Sequence, residues 1–73
     1  MTKRSVTING HATSISLEAK FWQELKRMAS EAGLSVAALI ACIDADRKTS
    51  NLSSALRLAV LNDLKARAGA GPV

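Results

Sequence analysis

Polarity alternates residue by residue along the first part of the chain. Thr13, Ile15 and Leu17 fall on one side and Ala12, Ser14 and Ser16 on the other, which is the period of a half-buried β-strand. Asn9-Gly10 is the dipeptide most favoured in a two-residue hairpin turn, so residues 6–8 are expected to fold back on 11–13. The ribbon is expected over about residues 5–17. A hairpin is marginal in water by itself, so this one needs further strands or a helix layer.

The period then lengthens to that of a helix, expected over about 19–32. Phe21, Trp22, Leu25, Met28, Ala29 and Ala32 form one stripe, with Lys20, Gln23, Glu24, Lys26, Arg27, Ser30 and Glu31 around it. Gly33 stops this helix because glycine enters the left-handed region without strain, and Leu34 is expected to fold back onto the stripe. Ser35 caps a second helix over about 35–47. That helix carries Val36, Ala37, Ala38, Leu39, Ile40, Ala41, Cys42 and Ile43 with almost no polar face, and an all-apolar helix must be buried on all sides. One small chain has too few elements for that, so the second helices of two chains are expected to meet. Arg47 and Lys48 suit the negative end of that helix. Ser50 or Asn51 caps a third helix over about 52–67, with Leu52, Ala55, Leu56, Ala59, Val60 and Leu64 inward. Leu58 and Leu61 widen its apolar surface beyond one contact, which suggests packing on a dimer or extension to a tetramer. Residues 68–73, with two glycines and a proline, read as a disordered tail behind a single domain of residues 1–67.

Composition narrows the function classes. With 73 residues the chain supports one small domain, and such domains usually need a disulfide, a metal or a partner chain. One cysteine closes no internal disulfide, and one His with one Cys builds no structural zinc site, so no metal or cofactor is expected and self-association remains. No apolar run reaches the roughly 20 residues of a membrane span, and the start lacks a secretory signal's apolar segment. No membrane partner and a cytoplasmic location are therefore expected. Ten Lys and Arg against six Asp and Glu give a net charge of +4, which makes a polyanion a plausible partner. Lys3 and Arg4 precede the ribbon, where they can reach phosphates. No carboxylate pair, Ser-His-Asp set or phosphate-binding glycine loop is present, so no catalytic residue is assigned and an enzyme is not expected. His11 reads as a turn residue, Cys42 as a small buried hydrophobe, and Trp22 with Phe21 as core.

A helix-turn-helix places a polar second helix against base edges, and Val36, Ala37, Leu39 and Ile40 hydrogen-bond nothing there. The order of strand, amphipathic helix, Gly33 turn and capped apolar helix instead resembles the ribbon-helix-helix family, the Arc and MetJ type of repressor. The stretch from Gly10 through Glu18, then Phe21-Trp22, Gly33-Leu34-Ser35 and residues 51–57, looks like a group of short bacterial ribbon-helix-helix proteins.

The resemblance implies a mainly α fold with a short N-terminal β-ribbon, an intertwined homodimer, and here an extra C-terminal helix. It implies that two chains pair one strand each, that the ribbon enters the major groove of double-stranded DNA, and that the protein regulates transcription. Ala12, Ser14 and Ser16 would then face the bases. Lys3, Arg4 and the backbone near Ser35 and Val36 would hold phosphates, as helix N-termini allow. Ile15, Leu17, Val36, Leu39, Ile40 and Ile43 would form the dimer core. The alternative is an oligomeric interaction module, or an antitoxin component, that keeps the fold without reading sequence. Ala12 has no donor, and Ser14 and Ser16 discriminate weakly between bases.

Overall fold

The computed structural model describes residues 1–46 and 50–69, arranged as β1 (Thr2–Ile8), β2 (His11–Leu17), α1 (Ala19–Ala32), α2 (Val36–Asp46) and α3 (Leu52–Gly69). β1 and β2 form an antiparallel hairpin in register from Ile8–His11 to Thr2–Leu17. Positive φ at both Asn9 and Gly10, 51° and 82°, gives the turn whose twist matches the strands it joins. β1 starts at Thr2, earlier than alternation alone indicated. The resemblance implied a ribbon built from one strand of each chain. Here both strands belong to one chain, because the short turn brings them together at little loop-closure cost.

The core lies beneath the hairpin. Ile15, Leu17, Leu25, Ile40, Leu56 and Val60 are fully buried, with Ile8 and Trp22 beside them. Burying each such side chain contributes roughly 1.5–3 kcal/mol before the entropy of ordering is counted. α2 packs against β1, and α3 packs against β2. Trp22 Nε1 donates to the Thr2 carbonyl over 2.9 Å, which ties α1 to the start of β1. Gly33, at φ 71°, ends α1: its N–H reaches Ser30 O and the Leu34 N–H reaches Ala29 O, the paired closure of a left-handed cap. Ser35 Oγ accepts from the Ala38 N–H and Asn51 Oδ1 from the Ser54 N–H, so each following helix starts on its own side-chain cap.

Several expected burials are corrected. Leu34 stays 40% exposed, because the backbone closure at Gly33 forms without seating its side chain on the α1 stripe. Ala32, at the end of α1, is exposed, as is Leu64, which flanks the buried side of α3. Cys42 is exposed rather than buried, since only Ile40 of α2 points into the centre of the core. Leu58 and Leu61 are open on the far side of α3. The third helix includes Ala68 and Gly69, the rest of the expected tail lies outside the described residues, and so do Arg47 and Lys48. No single described helix is long and apolar enough to cross a membrane.

Candidate nucleic-acid interface

The hairpin register decides which side chains share a face. Directly opposed residues point the same way, so Lys3–Ser16, Ser5–Ser14 and Thr7–Ala12 form the outer face of the ribbon. Arg4–Ile15, Val6–Thr13 and Ile8–His11 face the helices. The outer face therefore presents one lysine, four hydroxyls and one methyl, exposed throughout except for half-buried Ser16. The structure brings Ala12, Ser14 and Ser16 together in one row. It adds Ser5 and Thr7, which reading β2 alone missed; the Asn9-Gly10 turn was the available signal, because a two-residue loop fixes every opposing pair.

Lys3 and Arg4 part company. Lys3 stands on the outer face, while Arg4 turns to the helix side and lies over the Trp22 ring, 5.6 Å from its centroid. His11 is exposed beside the turn. Ser35 is exposed, but its hydroxyl is already occupied as the α2 cap. The N–H groups of Val36 and Ala37, in the first turn of α2, have no partner within the helix and carry its positive pole. This pole sits beside β1, because Val36 and Ala37 share a cleft with residues 4–7.

The described carboxylates of α1 and α3 are engaged away from the outer face. Arg27 bonds Glu24 over 2.8 Å, Glu31 over 3.1 Å and Asp63 over 2.7 Å, and Arg67 joins Glu31 and Asp63. Arg57 bonds Glu18 over 3.0 Å. The Arg27 hydrogen bond, reinforced by Arg67, holds the Asp63 carboxyl below its ordinary range, and the Arg57 hydrogen bond does the same for Glu18. Arg27 is pushed further up by Asp63 first and Glu24 next. Lowered carboxylates contribute stability that is present above the ordinary values near 3.9 and 4.3 and is lost as pH falls through the folded values. The melting temperature should thus hold above about pH 5 and fall as pH drops from there through the folded values below about 4. In Arg27→Met that fall should be shallower; a melting curve with unchanged pH dependence would remove Asp63 from the account.

A family model described as Ribbon-helix-helix domain matches residues 1–64. The chain belongs to the ribbon-helix-helix family. No curated protein and no solved structure matches it. The matched stretch takes in the hairpin, α1, α2 and α3 as far as Leu64, so the whole interface lies inside the ribbon-helix-helix domain. Ribbon-helix-helix proteins are generally DNA-binding transcription regulators or antitoxins, and they usually bind DNA as dimers. Of the residues expected in a dimer core, this ribbon-helix-helix chain already buries Ile15, Leu17 and Ile40 within itself. Val36, Leu39 and Ile43 remain half-buried beside exposed Cys42.

Proposed function

We propose that this protein is a homodimeric DNA-binding transcription regulator whose hairpin enters the major groove. The observation that carries the reading is the outer face itself: short polar side chains and one lysine, with no carboxylate, next to the positive pole of α2. Ser5, Ser14 and Ser16 are small enough to approach base edges, and their hydroxyls both donate and accept. Lys3 and the Val36 and Ala37 amides would meet phosphates on the flank, which sets register without reading sequence. Neither catalysis nor a cofactor enters this mechanism.

An open strand edge supports the dimer. Pairs in an antiparallel ribbon alternate between hydrogen-bonded and non-bonded, and the Ile8–His11 pair that closes the turn is of the bonded kind. Ala12, Ser14 and Ser16 then direct their backbone groups away from β1. Ser53 Oγ donates to the Ser16 carbonyl from that side over 3.2 Å, in keeping with this assignment. Ala12 and Ser14 keep their backbone groups free among the described residues, and an exposed edge of this kind is a template for another strand. Pairing of β2 with β2 of a second copy would place two hairpins side by side and double the outer face.

A binding selection from fragmented source DNA at about 0.15 M salt tests the reading, because salt weakens non-specific attraction. Enrichment of a palindromic or repeated site is expected. Recovery of fragments with no shared site would favour the interaction module, the reading that the short and weakly discriminating Ala12, Ser14 and Ser16 support.

A further inference from the structure

A cleft of about 650 Å³ opens between the outer edge of β1, α1 and the first turn of α2. Its apolar walls are Val6, Trp22, Val36 and Ala37, and two cations, Arg4 and Lys26, stand in them. No carboxylate among the described residues lines it. Neither cation has an ion-pair partner among the described residues, whereas Glu18, Glu24, Glu31 and Asp63 are all held by Arg27, Arg57 or Arg67. Uncompensated positive charge in an apolar recess attracts a ligand of opposite charge with an apolar body. The volume lies within the range of small-molecule pockets, roughly 300–1,000 Å³.

We propose that this cleft binds a small organic carboxylate, with its acid group between Arg4 and Lys26 and its apolar body against Val6, Val36 and the edge of Trp22. A cation–π contact with the indole, 5.6 Å to its centroid, favours this placement of the Arg4 guanidinium, and a planar guanidinium meets a carboxylate through two parallel hydrogen bonds. Lys26 is exposed and adds a second charge from α1. The cleft borders β1 and contains no β2 residue, so it stays open when two β2 edges pair. Its walls join the ribbon to α2, and an occupant therefore bridges the two elements used in the DNA reading. The site itself does not rest on that reading.

The test uses the full chain without DNA and 4-methylbenzoate as the probe, followed by calorimetry and by the indole N–H signal of the single tryptophan. Saturable binding that shifts the Trp22 signal is expected. 4-Methylbenzyl alcohol, with the same body and no charge, should bind at least about tenfold more weakly, and so should 4-methylbenzoate to Lys26→Glu. Lys65→Glu, the same charge reversal on α3 outside the cleft, should bind within about twofold of the parent. Circular dichroism of each variant verifies the fold. The proposal is overturned by no saturable shift up to about 10 mM probe, by equal binding of the alcohol, or by equal losses in Lys26→Glu and Lys65→Glu.

Discussion

Ile40→Lys is expected to abolish the folded state. Ile40 has no exposed surface and belongs with Leu17, Leu25, Leu56 and Val60 to the hydrophobic core of the described residues. A lysine there would bury an ammonium in an apolar cluster, which costs several kcal/mol even after local rearrangement. A domain of this size has little to set against that, since one small core rarely supplies more than about 3–5 kcal/mol. Far-UV circular dichroism should show lost helicity and no cooperative melt. Ile40→Val, which removes one methylene, should cost only about 0.5–1.5 kcal/mol and stay folded. A soluble, helical Ile40→Lys protein with a melt close to the parent would refute the burial of α2 described above.

The second large effect concerns binding. Ser14→Glu should weaken DNA binding by at least about a hundredfold, because a carboxylate set against phosphates adds repulsion of several kcal/mol. Ser14 is exposed at the middle of the outer face, opposite Ser5, and its replacement removes no buried contact. Stability should therefore stay within about 0.5 kcal/mol of the parent. Gln23→Glu makes the same charge change on the exposed side of α1 and should lower affinity far less. Sedimentation of Ser14→Glu separates a lost dimer from a lost DNA contact. Tight binding by a folded Ser14→Glu protein would take the ribbon out of the mechanism.

Much of this architecture was legible because it is encoded locally. A period of two residues gives β2 its faces, and a period near 3.6 gives α1 its buried Trp22, Leu25 and Ala29. Asn9-Gly10 and Gly33 stop elements where positive φ is needed, and Ser35 supplies its own cap. The site was harder to read. Lys3 and Arg4 are neighbours in sequence, yet successive strand residues point to opposite faces, and only Lys3 reaches the outer one. Ser5 and Thr7 entered the interface only through pairing with β2. Cys42 looked buried because its helix is apolar all round, but apolarity does not say which side of a helix finds neighbours.

The sequence by itself determined the order and kind of the elements, their ends, and the alternation that sets Ser14 outward and Ile15 inward. Those features follow from backbone sterics and side-chain period, which act over a few residues. The tertiary structure alone decided that Arg4 lies over Trp22 and that Arg27 clamps α1 to Asp63 of α3. It also decided that two cations, with no ion-pair partner among the described residues, share an apolar cleft with the first turn of α2. These depend on which faces meet across the core, and residues 18 to 36 positions apart carry no local signal of meeting.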